Sequence, residues 1–294
     1  MPAFIGGDIS ALARGGREPI EGMRSFNTLW HKPGFSEGGW RMAGPRFWEI
    51  DALRGTAVVM MVIFHTVFAM SFLGVEPFDV VHGFWRFFAL STATLFIFIA
   101  GVSIAVSSAR AARTLDPWAL ALKNLKRGAG IFAVGLGITA VTWIFIPGEF
   151  VIFGVLHCIG ISIMLSPLFL RLGKVNLAIG ALLVALGPVA EAIPGPLPLL
   201  WLGIHPADFA SLDYVPLLPW LGVFLLGMSI GASLYPGGER GFPARDREVL
   251  PARPLTLLGR HSLPIYLVHI PLILLGLALA VPGLAARMVS LFLP

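Results

Sequence analysis

A chain of 294 residues with 56% hydrophobic residues, 13% charged residues and a mean hydropathy of +0.84 lacks the polar surface that a soluble globule of this size needs. It reads as an integral membrane protein whose solvent and first partner is lipid. The formal net charge of +5 comes from basic residues at the ends of apolar segments, not from a stripe with interleaved aromatics, and this excludes nucleic acid as the partner.

Residues 1–44 are rich in Gly, Arg and Glu and hold no apolar core of the kind a signal peptide requires, so they read as a flexible cytoplasmic tail. Residues 45–282 read as a transmembrane acyltransferase-like domain, for the reasons below, and residues 283–294 as an external C-terminal segment. The domain opens with Arg46 to Gly55, R-F-W-E-I-D-A-L-R-G, which runs straight into an apolar helix carrying His65. Asp51 and Arg54 are three apart on one helical face, where a salt-bridged pair can sit at the water boundary while the residues from Gly55 onward enter lipid.

A spanning helix needs about 20 apolar residues. Seven segments meet or approach that length: 55–74, 84–107, 127–147, 151–171, 175–193, 215–234 and 263–281. Between residues 194 and 214 a Pro-Gly-Pro-x-Pro opening forbids a regular helix, and Leu197 to Ile204 reads as a re-entrant or surface segment. The fold class is all-α, a polytopic bundle of about seven spans. Counting Lys and Arg orients it: the residues up to Arg54 hold 7, Arg110 to Arg127 hold 5, Arg171 and Lys174 make 2, and Arg240 to Arg260 hold 5, which is 19 of 21 on one side. Only Arg86 and Arg287 fall on the other side, so the N-terminus is expected to be cytoplasmic, in a prokaryotic plasma (inner) membrane.

Helical rise of about 1.5 Å per residue then assigns depth. His65 falls roughly 16 Å beyond Arg54, His269 roughly 13 Å beyond Arg260, and His157 about 15 Å past Pro147 from the opposite face. Three histidines on three helices are thus expected to converge near the midplane, facing the bundle interior. At such depth a polar group by default marks a functional site, although each imidazole could instead bond a backbone carbonyl or a hydroxyl such as Thr66 or Ser162. No His-x-x-x-His or carboxylate spacing accompanies the three, so no metal is expected.

On the outer face Glu76, Asp79, His82 and Arg86 cluster between the first two spans, and Glu149, His205, Asp208 and Asp213 could approach from other outer loops. His82 is a natural acid or base for a group arriving from outside, or else a solvated loop histidine beside the aromatic belt. Gly227 and Gly231 form G-x-x-x-G, which points to close helix packing, and Gly128, Gly130, Gly135 and Gly137 read the same way. The single Cys158 lies in an apolar run and makes no case as a nucleophile.

The run R-F-W-E-I-D-A-L-R-G-T-A-V-V-M-M-V-I-F-H at 46–65 resembles the opening of the heparan-alpha-glucosaminide N-acetyltransferase catalytic-domain family, especially its small prokaryotic members. F-I-A-G-V-S at 98–103, F-G-V-L-H-C-I-G-I-S at 153–162, D-Y-V-P-L-L-P-W-L-G-V-F-L-L-G at 213–227 and L-G-R-H-S-L-P-I-Y-L-V-H at 258–269 continue the resemblance in order. It implies a membrane enzyme that takes acetyl groups from acetyl-CoA on the cytoplasmic side and passes them to an acceptor on the other. It also implies a catalytic histidine just beyond the helix that begins with D-x-x-R-G, assisted by an asparagine near that helix's outer end. His82 is the best match to the histidine, at a longer spacing, and His65 stands where the asparagine would be.

Acetyl transfer from a thioester needs a base for the incoming amine or hydroxyl, which His82 or His65 can supply. His157, His269, Asp213, Asp51 and Arg54 would support it. Arg46, Arg54 and the basic loop residues Lys123, Lys126 and Arg127 offer charges for the phosphates of acetyl-CoA, and equally for topology and lipid headgroups. The acceptor is a small molecule or glycan bearing an amine or hydroxyl, and a homo-oligomer is compatible with the sequence. Two rival classes remain: a small proton-coupled transporter or flippase that uses the midplane histidines, and a non-catalytic membrane subunit.

Overall fold

The computed structural model describes residues 46–244 and 249–292. The tail expected over 1–44 lies outside the described residues. Among the described residues nine α-helices follow one another: α1 Trp48–Phe72, α2 Gly83–Ala111, α3 Pro117–Phe145, α4 Val155–Phe169, α5 Val175–Glu191, α6 Leu217–Leu234, α7 Arg253–Arg260, α8 Ser262–Ala280 and α9 Leu284–Phe292. No strand occurs among the described residues, only two isolated bridges, Phe153 with Tyr214 and Pro194 with His205. Five helices, α1, α2, α3, α6 and α8, are long and apolar enough to cross a membrane; α4 and α5, with 15 and 17 residues, are apolar but shorter.

All seven apolar segments of the sequence form helices, and two begin elsewhere than expected. Residue α3 starts are set by Asp116, whose carboxylate accepts the backbone N–H groups of Trp118 and Ala119 at 2.9 Å each, with Pro117 at the first helical position. Lys123, Lys126 and Arg127 therefore lie on the first turns of a helix, not on a loop. The loop itself is short, from Ala112 to Asp116. Conversely, α4 begins at Val155 and not at 151, because residues 151–153 stay extended: the Val215 N–H donates to the Phe153 carbonyl at 2.9 Å. This stretch is nevertheless buried, with Val151 at 6% and Phe153 at 7% exposure.

Helix contact in this bundle rests on missing side chains. Where α2 crosses α6, a Cβ on Gly101 would overlap the Phe224 carbonyl oxygen and one on Gly227 would overlap that of Phe98, so each backbone lies in the groove of the other. Gly231 meets Val102 in the same seam. The expectation for G-x-x-x-G thus holds. On α3, Gly128 and Gly135 face α4, whereas Gly137 has nothing beside it. Around the seam lies a core of Ile97, Ile104, Cys158, Ile163, Phe224 and Leu225.

The α1 and α7 helices form the second close pair: a Cβ on Gly55 would overlap the Leu255 carbonyl, and one on Gly259 the Asp51 carbonyl. Only one residue, His261, separates α7 from α8, so this seam also sets where α8 runs. Along α8 the single buried residue is His269. Its remaining apolar side chains, such as Leu272 at 60% and Leu279 at 81% exposure, lie bare as lipid-facing residues do.

The 194–216 stretch is folded, as a non-helical cover. Leu197–Leu202 makes a 3₁₀ turn that buries Leu200, the Tyr214 hydroxyl donates to the Leu200 carbonyl at 2.7 Å, and the Leu212 N–H donates to Glu149. Filling the α2–α6 seam is the sharpest test of this architecture. Gly227→Ala is expected to cost about 1–3 kcal/mol, as overpacking does, and to lower the thermal unfolding midpoint in detergent, whereas Gly137→Ala should leave it unchanged.

Candidate active site

At the end of the bundle where α1 begins, one carboxylate gathers three guanidinium groups. Asp51, 5% exposed, accepts from Arg54 Nη1 at 2.9 Å, and Arg260 Nε and Arg46 Nη1 stand 3.6 Å and 4.0 Å from its second oxygen. The expected Asp51–Arg54 pair is therefore present. Arg54 also donates from Nη2 to the Ser103 hydroxyl at 2.6 Å. One turn further along α2, Ser107 accepts from Arg127 Nη1 through its hydroxyl at 3.3 Å and from Lys123 Nζ through its carbonyl at 3.3 Å. Ser103 and Ser107 thus hold cations from α1 and α3 side by side, close enough for Arg54 and Arg127 to feel each other's charge. Lys126 is exposed and makes none of these contacts.

Arg46 also lines a cleft of about 500 Å³ with Phe47, Glu239, Arg240 and Phe242. Its floor is rigid. The Phe47 ring lies between the Arg110 and Arg240 guanidiniums, 4.5 Å and 5.0 Å from its centroid, and Glu49 takes Arg240 at 2.7 and 2.8 Å and the Tyr235 hydroxyl at 3.0 Å. Burial and the Glu49 carboxylate push the Tyr235 phenol well above its ordinary range.

Deeper in the bundle two histidines meet. The rings of His65 on α1 and His269 on α8 lie 4.8 Å apart, centroid to centroid, at 71°. His65 Nδ1 is 2.9 Å from the Met61 carbonyl and His269 Nδ1 is 2.6 Å from that of Tyr266. A carbonyl only accepts, so in each neutral ring the proton is on Nδ1 and the lone pair on Nε2. His269 Nε2 is buried with no partner. Thr66, considered as a partner for these rings, donates to the Val62 carbonyl instead.

His157 does not join them, which corrects the expected convergence of three. It lies in the first turn of α4, beneath Gly135, with ring contacts to Phe132 and Phe153. Its tautomer is the opposite one: Nδ1 accepts the Gly154 N–H at 3.2 Å, which leaves the proton on Nε2, facing the Thr139 hydroxyl at 3.4 Å. One nitrogen thus closes the start of α4 and the other faces α3.

The outer cluster separates as well. His82 is 81% exposed and pairs with Asp79 at 3.4 Å, and the Asp79 carboxyl, held below its ordinary value first by the His82 backbone N–H, fixes the turn into α2. Asp213 and Glu149 belong to the cover over α4 instead. Asp213 accepts the Val155 N–H at 3.0 Å and touches Gly154, and burial pushes its carboxyl up to about 6. Its charge reaches Tyr266, the residue whose carbonyl holds His269. His205 packs against Phe209 and Tyr214. Among the described residues no group of three or more His, Cys, Asp or Glu is arranged to hold a metal ion.

The described residues thus combine membrane-length apolar helices with a cluster of cations at one end and a pair of contacting imidazoles between α1 and α8. The catalytic domain of heparan-alpha-glucosaminide N-acetyltransferase matches residues 46–271, most of the chain, and the protein belongs to that family of membrane acetyltransferases. No curated protein and no solved structure matches the chain.

Asp213 supplies a test through pH. With a folded value above the ordinary 3.8, the folded chain keeps a proton that the unfolded chain releases, so stability falls as pH rises from about 4 to about 6. Asp213→Asn removes that term while still offering Val155 an acceptor. The unfolding free energy of the variant should gain on the parent's across this window, by on the order of 3 kcal/mol, with the thermal midpoint following; a difference that stays flat with pH would show the carboxyl to be ionised throughout.

Proposed function

We propose that the protein is a seven-span acetyltransferase of the prokaryotic inner membrane, N-terminus cytoplasmic. It would draw acetyl groups from acetyl-CoA at its inner face and pass them to an amine or hydroxyl acceptor, such as a sugar, reached from the outer face. The observation that carries this reading is the arrangement along α1, with Arg54 in the inner cationic site and His65 three turns further in, about 16 Å along the helix axis. That spacing suits a donor whose phosphates and thioester are joined by an extended pantetheine arm.

Arg54, Arg127 and Lys123 are fitted to the phosphates. They converge from two helices onto Ser103 and Ser107, and the only carboxylate among them, Asp51, is shared with Arg46 and Arg260. The cleft beside Arg46 suits the adenosine end, with Phe47 and Phe242 as apolar walls. At the other end His65 carries its lone pair on Nε2, fixed by the Met61 carbonyl, and takes the acceptor's proton as the acceptor attacks the thioester carbonyl. His82 has a second claim to the role through its match to the family's histidine, but its ring is 81% exposed and its charged neighbour is Asp79 in the same turn.

Transfer from labelled acetyl-CoA by the purified protein in liposomes tests the reading. His65→Ala is expected to lower turnover by roughly 10²–10⁴, the usual effect of losing a general base, with the Michaelis constant for acetyl-CoA little changed, and His82→Ala to stay within a fewfold of the parent. The reverse pattern assigns the base to His82. Arg127→Ala should raise the Michaelis constant for acetyl-CoA. If the parent neither binds acetyl-CoA nor is stabilised by it, the proton-coupled transporter reading takes its place.

A further inference from the structure

The α8 helix poses a question of its own. It is a 19-residue apolar helix, yet the one residue it buries is an imidazole, His269, whose Nε2 has no partner in the protein. A buried polar atom without a partner is destabilising, and a leucine in its place would avoid that cost. The side chain is held in position as well: Nδ1 is pinned to the Tyr266 carbonyl at 2.6 Å, the Tyr266 ring packs 5.6 Å from it, and the His65 ring lies 4.8 Å away.

We infer that His269 is the proton partner of His65, so that the two rings work as one base that holds a single proton at a time. The inference rests on the acetyltransferase reading for its chemistry, and on the geometry alone for the sharing of the proton. Both Nε2 atoms carry lone pairs, since both Nδ1 protons are committed to carbonyls, and a proton reaching either ring makes a second one unfavourable at this separation in a medium without water.

In the transfer step a bond forms between the acceptor's nitrogen or oxygen and the acetyl carbon as the carbon–sulfur bond breaks. The acceptor's proton passes to His65 Nε2, is shared with His269 Nε2, and returns to the departing thiolate, which leaves as the thiol. No proton is gained or lost and no oxidant is needed.

The surroundings leave the pair to itself. On α8 the neighbouring titratable group is Tyr266, whose own neighbour is Asp213 on the outer cover. On α1, Glu49, Asp51 and Arg54 lie toward its starting end, where α7 contributes Arg260. On α9, Arg287 caps the far end of α1 through the Leu73 carbonyl at 3.1 Å. Of all these groups, His269 is the one whose ring contacts that of His65.

The test counts ionisations. With ¹⁵N-labelled histidine in the full-length protein in nanodiscs, the parent should show the two rings titrating in two linked steps. His269→Gln and His65→Gln should each leave the remaining ring with a single step at a new midpoint. In parallel, the acid limb of the pH–rate profile should fall with a slope near one in the parent, because one shared proton already occupies the base, and its midpoint should move in His269→Gln, whose turnover drops roughly tenfold or more while its acetyl-CoA affinity is kept. Either variant alone decides the titration if the other fails to fold. Unlinked titrations with the parent's midpoints kept in the variants, or a fully active His269→Gln with the parent's midpoint, would overturn the proposal. A parent that transfers no acetyl group would end the acetyltransferase reading, while the ring titration would still decide whether the pair shares its proton.

Discussion

The Asp51 carboxylate fixes the geometry on which the site depends. In a medium that cannot hydrate charge, a guanidinium needs a counter-charge or a set of acceptors, and Asp51 supplies the counter-charge to Arg46, Arg54 and Arg260 at once. Because Arg54 is on α1 and Arg260 on α7, the same carboxylate ties two helices together at the level where Gly55 and Gly259 let their backbones touch. Both α1 and the α7–α8 unit then run outward from that knot. His65 comes fourteen residues after Asp51 and His269 nine after Arg260, and those two distances along tilted helices bring the rings to one place. The contact between the imidazoles is thus set up at the inner boundary, several turns away.

Hydrogen bonding separates the three buried histidines more clearly than depth does. All three sit among apolar side chains, and residue type gives no reason to treat them differently. Yet the Nδ1 of His65 and of His269 faces a carbonyl, and that of His157 faces an N–H. That difference reverses the tautomer: two rings keep a lone pair available at Nε2, while the third spends Nδ1 on the first turn of α4 and turns its Nε2 proton toward Thr139 on α3. The polar inner site follows a similar logic, since Ser103 and Ser107 can satisfy cations without neutralising them, which preserves positive charge for an anion.

Much of this was legible in the sequence because membrane helices announce themselves by hydropathy and by the side on which Lys and Arg fall. The helices over the seven apolar segments, the Asp51–Arg54 pair and the glycine seam of α6 all followed from such patterns, although only five of those helices are of spanning length. The start of α3 was missed because hydropathy sees only the apolar part of a helix; the Asp116–Pro117 pair was a capping signal that could have shown the helix beginning ten residues before the apolar run. The start of α4 was placed too early for the opposite reason, since residues 151–153 are apolar and buried but paired in extended form with the 213–215 stretch. The pairing of His65 with His269, and the exclusion of His157 from it, depend on helix tilt and rotation, which a rise per residue does not contain. Ser103, Ser107, Thr139 and Tyr266 carry no signal of their own, because each becomes part of a site only through the residue placed opposite it.

The way α8 is seated has a mechanical consequence. A helix whose only deeply packed side chain is one imidazole has little to resist rotation or tilt beyond its connection to α7 and its contact with α1. Its inclination will therefore answer to how well its 19 apolar residues match the thickness of the surrounding hydrocarbon, at a cost of fractions of a kcal/mol per Å of mismatch. That is small against the stability of a bundle, but it acts directly on a ring contact of 4.8 Å between centroids. Acyl-chain length in the host bilayer is in this sense a control on the ring geometry, and the lipid is a working part of the centre as well as its solvent.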